Sequence, residues 1–184
     1  PRTWFIQGRG NGIIQVQRDR FLHNWRKMTS GDEYPRYHQV KQMFINRFLQ
    51  FRDFVERNQL GAIDPLQFEM TYINHIPHGE GWFELGRIGE VFPDFAFRTG
   101  ERFLPEPAGI NWQTTFVLPD KQGRLHARMR HVRVRETKSP LLVFELTVRG
   151  ISGDKSLEGM QSWFDLAREW IVKGFADLTG TGIQ

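Results

Sequence analysis

The sequence predicts an α+β fold, an antiparallel sheet of about five to seven strands with two long helices packed on one face. Several short runs alternate apolar and polar residues, as half-buried strands do. Two longer segments repeat apolar residues at helical spacing. The 184 residues match the length of one domain, predicted over 1–184. This order of elements is compatible with a helix-grip arrangement, in which the last helix lies across a curved sheet.

The first elements are a predicted hairpin and a strongly charged strand. Asn11 and Gly12 separate two β-branched and aromatic runs, a pattern typical of a hairpin turn. Residues 15–26 are predicted to form one long strand. Its apolar residues change face near Arg18, which either a β-bulge or a polar patch that faces a cavity would explain.

The remaining elements follow from periodicity and from turn residues. We predict helices over 37–58 and 157–178, and strands over 66–76, 111–118, 124–135 and 141–150. Residues 77–107 are rich in Gly, Pro and aromatic side chains, and we predict a loop-rich insertion that covers the domain or acts as a lid.

Composition excludes several classes of protein. The absence of cysteine rules out disulfides, thiolate nucleophiles and zinc ribbons, and it suits a cytoplasmic location. No apolar run is long enough for a transmembrane helix, so no membrane association is predicted. The chain begins at Pro1 without a signal-peptide pattern, which predicts a fragment. The net charge of +4 is mildly basic, so its distribution matters more than its total.

Four motifs carry a resemblance to a known family. They are QVQRDRFLHNWRK at 15–27, EMTYINHI at 69–76, ELTVRG at 145–150 and FADLT at 175–179. In these the chain resembles the sporadically distributed prokaryotic protein family of unknown function. Members of that family carry an additional N-terminal strand and helix, which implies that both are missing here. The resemblance implies no activity, cofactor or catalytic residue.

Polar residues inside predicted strands form the first candidate site. They are Arg18, Arg20, His23, Asn24, Glu69, Tyr72, Asn74, His75, Glu145 and Arg149. If their strands are neighbours, arginines and glutamates can pair in a ladder across a sheet face. Such a set either binds a small anion or the terminus of a partner, or forms a structural network that fixes strand register.

A second candidate site lies on the predicted strand 124–135. Arg124, His126, Arg128 and Arg130 share one face there, at a spacing of about 7 Å that loosely matches nucleic-acid phosphates. The alternative is a solvated outer face. Aromatic side chains do not interleave these arginines, which disfavours single-strand binding.

Catalytic and metal sites are not predicted. The chain has no Gly-x-Ser-x-Gly motif, and Glu69 and Glu145 each have a candidate arginine partner that would keep them ionised. His75, His78 and Glu80 surround Pro77 without the spacing of metal ligands. We therefore predict no catalytic residue, no metal and no cofactor.

Three hypotheses for function remain. The first is a non-catalytic cytoplasmic binding or regulatory module that acts through a protein partner. The second is a helix-grip protein, either a binding protein or an enzyme, that binds a small molecule with Arg18, Arg20, Glu69 and Tyr72. The third is nucleic-acid association through the basic strand. A closed cavity lined by the polar residues would favour the second, and a filled core with exposed aromatic residues would favour the first. The sequence does not define an oligomeric state.

Overall fold

The computed structural model describes residues 1–29, 31–98 and 100–181, and the chain forms two compact units, Pro1–Asp64 and Pro65–Gln184. Each unit combines an antiparallel sheet with one long helix, so the α+β class is confirmed. The predicted sheet of five to seven strands is not confirmed, because the ladders divide into sheets of three and four strands. Alternation identifies a strand but not its neighbours. A single domain over 1–184 stays a prediction.

The sheet of the first unit contains β1 (Arg2–Ile6), β2 (Gly12–Gln17) and β3 (Arg20–Trp25), in that order. The predicted hairpin between β1 and β2 is confirmed, with Ile6 opposite Ile13. Its left-handed residue is Gly10, with φ of 80°, where glycine avoids the steric cost of a Cβ atom.

The predicted long strand over 15–26 is wrong, because a two-residue turn at Arg18 and Asp19 reverses the chain. Gln17 lies opposite Arg20, so β2 and β3 form a second hairpin. This turn explains the change of face without a bulge. Val16 lies directly opposite Phe21, and residues opposite each other on paired strands share a face.

Helix α1 (Tyr37–Arg57) packs on β3 through a cluster of phenylalanines. The ring of Phe21 lies 5.9, 5.8 and 5.2 Å from the rings of Phe44, Phe48 and Phe51, measured between centroids. The phenylalanine stripe of the helix therefore packs on the sheet of this unit, as its spacing predicts, with its rings half-buried.

A carboxylate ties the loop after β3 to the first hairpin. The Oδ2 atom of Asp32 accepts hydrogen bonds from the backbone N–H groups of Thr29 and Met28, both at 2.7 Å, and from Asn11 Nδ2 at 2.8 Å. Hydrogen bonds to the charged form favour it, so these donors lower the pKa of Asp32 to about 2.

We expect the Asp32 carboxyl to titrate at about 2 in a carbon-detected NMR titration, against an ordinary value of 3.8. Since the folded pKa is depressed, its contribution to stability is complete above pH 3.8 and is lost as the pH falls through about 2. The Asn11→Ala variant removes one donor and should raise the pKa. A pKa near 3.8 in the unmodified protein would contradict the three-donor arrangement.

The sheet of the second unit contains four antiparallel strands in the order β4-β7-β6-β5. The strands are β4 (Phe68–Pro77), β5 (Asn111–Val117), β6 (Gly123–Arg133) and β7 (Pro140–Gly150), and helix α2 spans Leu157–Leu178. The predicted hairpin around 119–123, the last strand and the closing helix are all confirmed.

Helix α2 covers one face of this sheet, called here the inner face. Phe68 on β4 lies 5.4 Å from the ring of Trp163, and Phe144 on β7 lies 5.9 Å from the ring of Phe175. The indole Nε1 of Trp163 donates to the carbonyl of Gln122 at 2.9 Å. At the start of α2, the Ser156 side chain accepts from the N–H of Gly159, as an N-cap residue does.

The predicted loop-rich insertion at 77–107 contributes to the core of the second unit. It contains a short 3₁₀ helix, Leu85–Glu90, and buries Trp82, Ile88 and Phe92. The ring of Phe92 lies 4.9 Å from that of Phe144, which also contacts α2. This part of the segment therefore covers the inner face beside the helix. Thr99 in the same segment lies outside the described residues.

Neither α1 nor α2, nor any shorter helix in the described part of the chain, combines the length and the apolar content that a bilayer crossing requires.

Candidate functional site

The second sheet has a polar face opposite α2, called here the outer face. Side chains alternate along a strand, so the residues between the core positions point to this face. Its members are Glu69, Thr71, Ile73 and His75 on β4, Asn111, Gln113, Thr115 and Val117 on β5, Arg124, His126, Arg128 and Arg130 on β6, and Val143, Glu145, Thr147 and Arg149 on β7. All the β4 and β5 members are exposed, so the face is open to solvent at both edges.

The outer face joins the two candidate sites that the sequence predicts separately. Glu69, His75, Glu145 and Arg149 come from the first set, and Arg124, His126, Arg128 and Arg130 from the second. They meet because β7 lies between β4 and β6. Arg128 is thus directly opposite Glu145, and Arg149 is opposite both Glu69 and Arg124.

One ion pair crosses β7 and β4. The Nε atom of Arg149 lies 2.5 Å from Oε2 of Glu69, with both side chains partly exposed. An ion pair in contact with water contributes about 0–1 kcal/mol, so its main effect is to favour one register. The predicted ladder of arginine and glutamate is present at this pair.

Two arginines of β6 carry a donor without a partner among the described residues. The Nε atoms of Arg128 and Arg130 are buried and make no hydrogen bond with any described residue. Arg130 has Asn111 and Val143 as its cross-strand neighbours, neither of which is acidic. Buried polar groups are normally paired, so these guanidinium groups are suited to an acceptor outside the chain.

His126 interrupts the arginines of β6. Its Nδ1 atom lies 3.2 Å from the hydroxyl oxygen of Thr115. Burial lowers the pKa of His126, the positive charges of Arg149 and Arg124 lower it further, and Glu69 opposes them. The imidazole is therefore neutral at neutral pH, and the permanent cations of this strand are arginines.

The net charge of the chain does not predict the cluster of arginines on the outer face. The first unit contains eleven Lys and Arg against six Asp and Glu, a formal charge of +5. The second contains fourteen against fifteen, a charge of −1. Strand β6 nevertheless has three arginines on the outer face, and it contains neither Asp nor Glu. Local clustering, rather than net charge, gives an electrostatic footprint.

Six predicted site residues lie elsewhere. Tyr72 and Asn74 belong to the inner face of β4, where Asn74 Nδ2 lies 3.5 Å from the carbonyl of Phe144. Arg18, Arg20, His23 and Asn24 belong to the first unit. Arg18 lies in the turn, and Arg20 Nε lies 3.9 Å from Asp19 with both side chains exposed. Pairing of Arg18 and Arg20 with Glu69 or Glu145 stays a prediction.

His23 is partly buried within the first unit. Its Nδ1 atom makes no hydrogen bond with any described residue. Burial lowers the pKa of His23, and the nearby positive charge of Arg47 lowers it further. Protonation of this ring is therefore unfavourable in the folded chain.

The geometry gives little support to metal binding. Among the described residues, no group of three His, Asp or Glu side chains is arranged to hold a metal ion. His78, one of the histidines considered above, lies with Nε2 2.9 Å from the carbonyl of Phe83. Glu145 accepts a long hydrogen bond from Thr147, at 3.4 Å. The outer face mainly offers guanidinium, amide and hydroxyl donors, which suit the binding of anions.

Sequence reasoning missed the neutral residues of β5. Asn111, Gln113 and Thr115 flank the arginines of β6 across the sheet. Their alternation with Trp112, Thr114 and Phe116 was a signal for one polar face. Their position beside Arg128 and Arg130 depends on the register of the hairpin, which alternation alone does not define.

Together these features define an α+β protein with antiparallel sheets and an open, mixed-charge sheet face. Comparisons with protein families, with curated proteins and with solved structures find nothing that matches this chain. The resemblance to the sporadically distributed prokaryotic family stays a prediction.

Proposed function

We propose that this protein is a non-catalytic binding module that acts through a protein partner, and that it binds this partner with the outer face. The observation that carries the proposal is the pair of buried Nε donors of Arg128 and Arg130, which have no acceptor among the described residues. A bound partner would supply acceptors and compensate for their desolvation. Membership of the sporadic family belongs to the same proposal and is supported by the four motifs.

The packing of the inner face favours binding on an open surface over binding in a closed cavity. Phe92 and Phe175 both contact the ring of Phe144, which is fully buried. The charged candidates Glu145 and Arg149 lie on the opposite side of the sheet. The helix-grip arrangement remains part of the proposal, since α2 lies over the sheet in this unit, but a ligand cavity beneath α2 is not needed.

Exposed aromatic side chains outside the outer face also favour a protein partner. Phe103 is fully exposed, at 100%, and Phe83 is 68% exposed in the same loop-rich segment. In the first unit, Trp4 and Phe5 are each about half exposed. Aromatic residues are enriched at protein interfaces, where a large rigid side chain gains contact area at low entropic cost.

Nucleic-acid binding is the second candidate, supported by the arginine spacing of about 7 Å along β6. One feature disfavours it. The outer-face members of the four strands include no Phe, Tyr or Trp on which bases could stack.

Site-specific photocrosslinking in the native host tests the proposal. A photoreactive residue at Gln113, exposed and opposite Arg128, should give a discrete adduct that protease removes. The matched control is Val172, 44% exposed on α2, which should not give this adduct. Addition of Arg128→Glu should abolish the adduct at position 113. Equal adducts at both positions, or one that nuclease removes, would refute the proposal.

A further inference from the structure

We propose that the partner presents an extended acidic segment that lies along β6, with two carboxylates held by Arg128 and Arg130. This inference rests on the proposed function and adds the chemistry of the partner. Its first support is the distribution of charge, since β6 has three arginines on the outer face, Arg124, Arg128 and Arg130, and no acidic residue within a unit whose formal charge is −1.

The spacing of the arginines fits an extended peptide. Arg128 and Arg130 are two residues apart on one strand, so their Cα atoms are separated by about 7 Å. Alternate side chains of an extended peptide repeat at the same distance. Acidic residues at positions i and i+2 of a partner would therefore match these two arginines, and the six-residue distance from Arg124 to Arg130 corresponds to about 20 Å.

The donors of the two arginines fit carboxylates. A guanidinium presents its N–H groups in a planar fork that matches the two oxygens of a carboxylate. In both residues the Nε donor is buried without an acceptor in the described chain. A rotation of the side chain would expose Nε, and a carboxylate that then accepts from Nε and from one terminal nitrogen would satisfy that donor and form the stronger, bidentate type of pair.

The neighbouring strands define where the segment lies. On the β5 side, Asn111 and Gln113 are neutral and could hydrogen-bond to a peptide backbone. On the β7 side, Glu145 faces Arg128, and beyond it Glu69 already holds Arg149. Acidic residues are repelled on that side, so the segment is confined to the space over β5 and β6.

Fluorescence anisotropy with the purified chain tests this inference. The probe is a labelled eight-residue peptide of alternating Glu and Ser, and the reference replaces each Glu by Gln. We expect the Glu peptide to bind at least about tenfold more tightly, with weaker binding at higher salt. Arg128→Glu should abolish this preference, whereas Arg87→Glu, an equal charge change at an exposed residue of the 3₁₀ helix, should preserve it.

A variant that is expected to bind the Glu peptide more tightly distinguishes an effect on binding from an effect of misfolding. Glu145→Gln removes the carboxylate opposite Arg128 and should tighten binding of the Glu peptide severalfold, a result that unfolding does not produce. Equal affinities for the Glu and Gln peptides, or equal losses in Arg128→Glu and Arg87→Glu, would overturn the inference. Tighter binding of a single-stranded oligonucleotide of the same charge would also overturn it. If the protein adduct at position 113 persists without any preference for the Glu peptide, the acidic segment is refuted and the proposed function stands.

Discussion

Replacement of Trp163 by alanine should lower the free energy of unfolding by about 3–5 kcal/mol. Trp163 is 1% exposed, and its ring centre lies 5.4 Å from that of Phe68 and 5.3 Å from that of Phe164. The substitution removes this contact area and leaves a cavity between α2 and the sheet. It also removes the indole donor from the Gln122 carbonyl, which precedes β6. Because domains are stable by about 5–15 kcal/mol, a loss of this size would remove about a fifth or more of the stability.

Urea unfolding followed by circular dichroism measures this effect, since fluorescence would change with the loss of the indole itself. Trp163→Phe retains most of the apolar contact and should lose less than Trp163→Ala. Val172→Ala, on the exposed side of the same helix, should change stability by no more than about 0.5 kcal/mol. A loss below about 1 kcal/mol in Trp163→Ala would contradict the packing described for α2.

The burial of one face is what made many elements predictable. In β7, Leu142, Phe144 and Leu146 are fully buried, and the residues between them form the outer face. In α2, apolar residues recur with helical spacing, and the helix is found at the predicted bounds. Periodicity reports which side of an element meets the core, and it does so without knowledge of the partner element.

Strand pairing was not predictable in the same way. Glu69 and Arg149 are 80 residues apart in the chain, yet their strands are neighbours in the sheet. A hydrophobic pattern limits register to alternate positions, but it does not determine which strand lies next to which in the sheet. The two candidate sites therefore remained separate in the sequence, although β7 brings them to one face.

The turn between β2 and β3 shows a different limit. Two-residue hairpins commonly contain Asn-Gly or Gly, and Arg18-Asp19 contains neither. The high charge of this stretch therefore suggested an unusual strand with a special role. The structure gives a simpler reason, because the charges of Arg18, Asp19 and Arg20 lie at an exposed hairpin end.

Replacement of Gly150 by alanine should lower the free energy of unfolding by about 3 kcal/mol, the upper end for overpacking. Gly150 lies opposite Gly123 where β6 begins, and it is also opposite Phe68 on β4. A Cβ atom at Gly150 would meet the backbone oxygen of Gln122 and would lie 2.6 Å from the Cα atom of Gly123. Backbone atoms cannot move aside as a side chain can, so the start of β6 would have to shift relative to β7.

In the Gly150→Ala variant, hydrogen exchange should detect the displacement of β6. Hydrogen exchange should accelerate for the amides of β6 and β7 near Gly150, because local opening there costs less free energy. Gly153→Ala is the matched control, since no atom lies within 4 Å of the added Cβ and the change should stay within about 0.5 kcal/mol. Equal stability of the two variants would mean that the Gly123–Gly150 approach is looser than described.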